Sequence, residues 1–123
     1  MQPKQRPTIA YIAGRIITGL ETSSIYDHLQ SKTVSFEGTI SPTFINIFSI
    51  DRGCYTAGPG EENIFDLYDF GHQHLIDLQI SGNTFKGWDD LTPCAFSGEV
   101  NGEDISFYDD GEKKTFYFSL KQP

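Results

Sequence analysis

Five pairs of chemically active residues recur along the chain, and the members of each pair are five positions apart. The pairs are Asp27/Lys32, Ser49/Cys54, Asp69/His74, Asp89/Cys94 and Asp109/Lys114. An aspartate beside a histidine can orient the imidazole as a general base. Cys54 and Cys94 would line the same pocket, but neighbouring carboxylates raise the pKa of a thiol and disfavour thiolate attack. If the protein is an enzyme, we therefore expect acid–base chemistry by His74 with Asp69 as its orienting partner.

The same residues also have a structural interpretation, which we favour. An aspartate at the end of a strand accepts backbone N–H bonds in an Asx-turn and fixes the hairpin that follows. Asp27/Lys32 and Asp109/Lys114 then become cross-strand ion pairs, each worth under about 1 kcal/mol if exposed. His74 becomes a core-side histidine that is hydrogen-bonded to its neighbour. No catalytic residue is predicted on this interpretation.

Metal and cofactor sites are not predicted. His72 and His74, with Asp69 and Asp77 nearby, are the best metal candidates. A tetrahedral site needs three or four converging ligands, and the segment has no second spaced pair. The chain contains no phosphate-binding loop, dinucleotide fingerprint, serine elbow or zinc-type cysteine pair. We expect no disulfide either, because Cys54 and Cys94 lie two repeat units apart.

A repeat of about 20 residues organises these positions. One aromatic residue recurs at intervals of 22, 20, 20 and 20 residues, and Asp follows it in all cases but one, where Ser49 does. The aromatic residues are Tyr26, Phe48, Tyr68, Trp88 and Tyr108. Glycine recurs in another register, at Gly38, Gly58 and Gly98. Such a period predicts one supersecondary unit of strand, turn, strand and turn per repeat.

Alternation of apolar and polar residues within each unit predicts antiparallel strands with one buried face. Residues 74–80, for example, place Ile76, Leu78 and Ile80 on one face and Asp77 and Gln79 on the other. Essentially no helix is expected. About ten or eleven strands are predicted, near 9–17, 23–27, 33–40, 44–49, 53–58, 64–69, 74–80, 84–89, 94–100, 104–109 and 114–120.

These strands predict an up-and-down meander that closes, or nearly closes, into a barrel, since closure removes exposed strand edges. A curled β-sandwich is the alternative. A β-solenoid with 20-residue coils is less favoured, because it would stack Asp69, Asp89 and Asp109 about 4.8 Å apart, where like charges repel. Inward-facing phenylalanines predict a packed interior: Phe36, Phe65, Phe85, Phe96, Phe107, Phe116 and Phe118.

Length and termini predict one domain. Residues 9–123 form the all-β domain, and residues 1–8, with two prolines and no apolar run, are expected to be a flexible tail. That tail has no secretory h-region, and no run approaches the roughly 20 apolar residues of a membrane span. A cytoplasmic location is therefore predicted.

Charge narrows the class of partner. The net charge is −8, with nine Lys and Arg against 17 Asp and Glu. Nucleic-acid binding is disfavoured because phosphates are bound by neutralising them with Lys and Arg. An acidic surface instead suits solubility or attraction to a basic protein. By analogy of composition, a role like that of an immunity protein or antitoxin fits.

The outward-facing aromatics supply the predicted binding surface. Phe48, Tyr68, Trp88 and Tyr108 point away from the core, and Asp69, Asp89 and Asp109 accompany them at the rim. Such a stripe either covers neighbouring strands or recognises a protein, with Trp88 as the natural anchor. A non-enzymatic binding protein is the favoured function. A small-ligand carrier with a polar rim pocket and the His74/Asp69 enzyme are the alternatives.

Overall fold

The computed structural model describes residues 1–121 and contains one helix and ten strands in that range. The elements follow the chain in the order α1 (Arg6–Thr18), β1 (Ser24–Asp27), β2 (Lys32–Ile40), β3 (Phe44–Ser49), β4 (Cys54–Glu61), β5 (Ile64–Asp69), β6 (His74–Ser81), β7 (Thr84–Asp89), β8 (Cys94–Asn101), β9 (Asp104–Asp109) and β10 (Lys114–Leu120). The predicted all-β class is confirmed.

The strands form a closed antiparallel barrel. Each strand pairs with its neighbour in sequence, and β1 pairs with β10 through Ile25 and Leu120 to complete the ring. The prediction of an up-and-down barrel is confirmed, and the sandwich and the solenoid are both wrong. Asp69, Asp89 and Asp109 lie on alternate strands, β5, β7 and β9, so no ladder of adjacent aspartates forms.

Inward glycines shape the wall. Gly98 on β8 lies between Phe85 and Phe107 of the flanking strands. A Cβ atom at Gly98 would come within 2.2 Å of the Phe85 ring and 2.3 Å of the Ser106 carbonyl oxygen. Only glycine lets the backbones approach this closely, and an aromatic ring covers the gap. Glycine kinks of this kind give a sheet the curvature that closure needs.

The helix corrects two predictions. Residues 9–17 were expected to be a strand, and residues 1–8 a flexible tail. Instead α1 begins at Arg6, has proline in its first turn, and ends at Thr18, where Gly19 caps it in a left-handed conformation with φ of 72°. Met1 and Gln5, which precede α1, are buried as well.

Helix α1 lies in the lumen of the barrel. Consecutive residues from Ile9 to Ala13 are all buried, so no side of this stretch faces solvent. Eight strands make a barrel that side chains alone can fill, whereas ten leave a wider space. The 13 residues of α1 span about 20 Å of that space. The predicted phenylalanine core is confirmed in burial, but it packs around a helix.

Specific contacts fix the helix in the lumen. The Tyr11 ring stacks on the Phe36 ring with centroids 4.3 Å apart, and its hydroxyl donates to the Thr22 carbonyl oxygen at 2.6 Å. Gly14 faces Ile105 and Leu120, where a Cβ atom would approach Ile105 Cδ1 to 2.7 Å. The absence of a side chain at Gly14 therefore allows close packing of the helix against β9 and β10.

The two ends of the barrel differ. At one end four-residue loops follow Asp27, Ser49, Asp69, Asp89 and Asp109, and we call this the aspartate end. At the other end two-residue turns join β4 to β5, β6 to β7 and β8 to β9. Gln5 and Arg6 contact Asp69 and Asp109, so α1 enters at the aspartate end. Among residues 1–121, no helix has the length and apolar character needed to cross a bilayer.

Candidate functional site

The five residues that define the aspartate end are buried. Asp27, Ser49, Asp69, Asp89 and Asp109 are each at most 3% exposed. Every one of the four aspartates accepts, through Oδ1, the backbone N–H of the residue two positions later, at 2.8–3.2 Å. The Asx-turn interpretation is confirmed. The expectation that Asp69, Asp89 and Asp109 contribute to an accessible binding surface is corrected, because the fold encloses them.

Asp109 is the most heavily contacted of them. Its Oδ2 accepts hydrogen bonds from the Met1 amine and from Arg6 Nε, each at 3.0 Å, in addition to the turn bonds at Oδ1. Burial by itself would raise the pKa of the Asp109 carboxyl, but the two cations outweigh burial and lower that pKa below its ordinary value. Asp109 therefore joins the amino-terminal segment to β9 as an ionised group.

Asp69 makes the equivalent connection from β5. Its Oδ2 accepts hydrogen bonds from Gln5 Nε2 and Arg52 Nη2, both at 2.6 Å. The predicted cross-strand ion pairs do not form. Lys32 pairs with Asp51 rather than Asp27, and the Lys114 ammonium lies 5.4 Å from the Phe116 ring centroid rather than against Asp109.

The candidate catalytic pair is also corrected. Asp69 and His74 are opposite each other in the sheet, as predicted, but His74 Nε2 lies 2.9 Å from Asp89 Oδ1. Neither imidazole nitrogen makes a well-formed hydrogen bond among the described residues. His74 is only 7% exposed, so a substrate would reach it only after the surrounding side chains moved.

The two cysteines are free thiols. Cys94 is buried, and its sulfur lies 3.6 Å from the Met1 amine, which donates to it, and 3.8 Å from both Asp109 Oδ1 and Thr92 Oγ1. Burial raises the pKa of the Cys54 thiol, and Asp69 raises it further, while Arg52 acts in the opposite direction. The environment of Cys54 therefore does not favour a nucleophilic thiolate.

Ligand sites inside the barrel have little support. Helix α1 occupies the lumen, and the buried residues Met1, Gln5 and Arg6 cover the aspartate end. His72, the second candidate metal ligand, is exposed, and its ring centroid is 6.2 Å from that of His74. Within residues 1–121, no group of three or more His, Cys, Asp and Glu side chains is arranged to hold a metal ion.

The predicted aromatic stripe is divided. Phe48 packs edge-on against Tyr55 with centroids 5.0 Å apart, and Tyr68 does the same with Phe70 at 4.8 Å. Both of these rings are half-buried. Trp88 and Tyr108 are more open, at 43% and 37% exposure. Trp88 is therefore the most accessible of the four predicted aromatic contacts.

Trp88 lies between two grooves on the outer wall. One, of about 480 Å³, extends across β6 to β9 and contains Asp77, Lys86, Tyr108 and Asp110 among its lining residues. The other, of about 190 Å³, has Asp66, Leu75, Asp77 and Asp90 in its lining. Trp88 and Asp77 line both grooves. An exposed indole is thus bordered by four carboxylates.

Charge is distributed unevenly around the barrel. Residues 53–112 contain thirteen of the 17 carboxylates but only one of the nine Lys and Arg residues, Lys86. Three of the thirteen are the buried aspartates at the rim, and the other ten lie on strands β4–β9 and their connections. We call the outer face of β4–β9 the acidic wall. The total charge hid this asymmetry, which a count by segment would have found.

The three carboxylates that line the smaller groove, Asp66, Asp77 and Asp90, have no ion-pair partner among residues 1–121. Asp66 and Asp77 are opposite each other on β5 and β6. Partial burial raises the pKa of the Asp77 carboxyl, and repulsion from Asp66 and Asp90 raises it further, against a backbone hydrogen bond from Trp88. The carboxylates beside the exposed indole therefore repel one another and are paired with no cation among residues 1–121.

Comparisons with known proteins found no matching family model, curated protein or solved structure.

Proposed function

We propose that the protein is a non-enzymatic binding module whose acidic wall recognises a basic protein partner. The observation that carries the proposal is the position of Trp88, an exposed indole between two grooves lined by carboxylates. Tryptophan is among the residues that contribute most binding energy in protein interfaces. Surrounding carboxylates favour positively charged partners and accelerate the encounter.

The closed barrel determines how such a partner can bind. A sheet with free edges can accept an additional strand from a peptide, but here β1 and β10 are paired to each other. Recognition must therefore use side chains on the wall or the loops. The acidic wall combines exposed aromatic surface with unpaired charge, which is the composition expected of a charge-complementary interface.

An inhibitory role against a basic protein, as in immunity proteins and antitoxins, fits this composition. Nucleic acid is disfavoured because the acidic wall would repel its phosphates. The free thiols of Cys54 and Cys94 suit a reducing compartment such as the cytoplasm, where structural disulfides are rare.

Affinity capture from the source lysate, followed by purification of the partner, tests the proposal. We expect a basic partner whose affinity falls at least tenfold for Trp88→Ala and falls with added salt. Tyr117→Ala is the matched control, because Tyr117 is an exposed aromatic on β10, outside the acidic wall. A purified partner that binds Trp88→Ala as tightly as the wild type would overturn the proposal.

A further inference from the structure

Three adjacent strands place two carboxylates and the indole in one row. Asp66 on β5 is opposite Asp77 on β6, and Asp77 is opposite Trp88 on β7. Directly opposed like charges destabilise a sheet. The row therefore contributes repulsion in the isolated protein, and a bound cation would remove it.

Asp90 completes this arrangement from the loop after β7. Its backbone N–H donates to the Leu75 carbonyl oxygen at 3.1 Å, which holds the loop beside β6. Leu75, Asp90 and the three residues of the row line the same 190 Å³ groove. Apolar side chains, the indole and three carboxylates thus line the groove.

Lys86 does not neutralise the row. It is the outward residue on β7 two positions before Trp88, and it is opposite Gln79 and Ser97. No ion pair joins it to a carboxylate within the described residues. The groove therefore lacks an internal cation.

We propose that this groove binds the guanidinium group of an arginine presented by the partner. The inference rests on the proposed function and specifies its ligand. A guanidinium plane stacks on an indole face and donates paired hydrogen bonds to carboxylates. One arginine side chain would therefore stack on Trp88 and donate to Asp77 at the same time. A lysine ammonium is a more strongly hydrated point charge and lacks the planar, forked geometry. The groove size suits a single side chain rather than a folded segment.

Trp88 makes the proposal directly measurable, because it is the only tryptophan in the chain. The full chain is titrated at low salt with hexa-arginine, hexa-lysine and hexa-citrulline peptides, and Trp88 fluorescence is followed. We expect a saturable change with hexa-arginine, roughly tenfold weaker binding of hexa-lysine, and no response to uncharged hexa-citrulline. Asp77→Asn should weaken hexa-arginine binding roughly tenfold.

Glu37→Gln is the matched control, since it removes one exposed carboxylate from β2, outside the acidic wall. It should bind hexa-arginine as the wild type does. Equal binding of hexa-arginine and hexa-lysine, or equal losses in Glu37→Gln and Asp77→Asn, would overturn the arginine site in favour of diffuse attraction. No response to hexa-arginine, with partner capture still dependent on Trp88, would overturn the arginine site and leave the proposed function intact.

Discussion

The carboxylates of the aspartate end and those of the acidic wall face opposite electrostatic situations. Asp109, inside, receives two turn N–H groups, the Met1 amine and Arg6. Asp77, on the wall, is opposite another carboxylate and is paired with no cation among residues 1–121. The buried Asp109 is thus held by cations, whereas Asp77 on the wall is not.

This difference separates structural acids from candidate binding acids. A buried charge without partners costs several kcal/mol, so the interior tolerates Asp109 only because the Met1 amine and Arg6 neutralise it and the turn N–H groups donate to it. On the wall, water reduces the cost of repulsion to a few tenths of a kcal/mol. We therefore expect Asp66 and Asp77 to add little to stability, in agreement with the binding role proposed for them.

The largest expected effect is the loss of a buried ion pair. Asp109→Ala should reduce the free energy of unfolding by about 3–5 kcal/mol, because Arg6 would remain buried without its anion. Urea denaturation measures this. Asp110→Ala, one residue later and exposed, is the control and should change stability by under about 0.5 kcal/mol. Equal effects of the two substitutions would remove the distinction between inner and outer acids.

Acid should weaken the same ion pair. The pKa of Asp109 in the folded state is lowered below its ordinary value of 3.8. Its stabilising contribution is therefore complete above the ordinary pKa and is lost as the pH falls through the lowered one. Urea midpoints of the wild type and Asp109→Ala should converge as the pH falls below about 4. A gap that stays constant down to strongly acidic pH would contradict this assignment.

Asp27 should show an intermediate effect. It is buried like Asp109, but its Oδ1 accepts only the backbone N–H groups of Leu29 and Gln30, and none of the described ion pairs includes it. Asp27→Ala should cost about 1–3 kcal/mol, which is typical of hydrogen bonds to a charged group. Thermal or urea unfolding measures the loss. A cost as large as that of Asp109→Ala would show that the turn, rather than the cation, dominates both sites.

The smallest effect, of opposite sign, is expected on the acidic wall. The raised pKa of Asp77 means that the fold disfavours its ionised form, so this penalty is present at neutral pH and disappears as the pH falls through that pKa. Asp77→Asn should therefore leave stability unchanged or raise it by a few tenths of a kcal/mol at neutral pH. Paired urea titrations at neutral and acidic pH test this. A clear destabilisation at neutral pH would mean that Asp77 is a structural acid.

The strands could be predicted from sequence because the sheet has one buried face, so that apolar and polar residues alternate along each strand. Alternation, together with the turn residues, placed five strands with the observed bounds, namely 44–49, 64–69, 84–89, 104–109 and 114–120. Strand β4 extends to Glu61, beyond its predicted end at residue 58, because the pattern is interrupted by glycines and Pro59. Alternation therefore sets the strand bounds except where glycine and proline obscure it.

Helix α1 was missed because its surroundings remove the usual signal. A helix on a protein surface alternates apolar and polar faces, but a helix inside a barrel is apolar all round and resembles a buried strand. Pro7 and Gly19 were the available signals, since they mark the beginning and end of a helix. The number of strands was another, because ten strands leave space that side chains alone do not fill.

Partners of the buried acids could not have been predicted. Arg6 and Asp109 are 103 positions apart, and Gln5 and Asp69 are 64 positions apart. Both contacts depend on the insertion of α1 into the barrel, and the alternation of residues within a strand contains no information about that insertion. Asp77 and Trp88 were different, because the predicted alternation already placed both side chains on the outer face.

The position of α1 also has a consequence for the order of events in folding. The helix precedes every strand, yet its enclosure is complete only when β10 pairs with β1, which joins residues 95 positions apart at Ile25 and Leu120. Contacts of such long sequence separation form slowly, because a large loop must close first. Until the ring closes, the apolar surface of α1 is open to other molecules, and this interval is when aggregation would compete most strongly with folding.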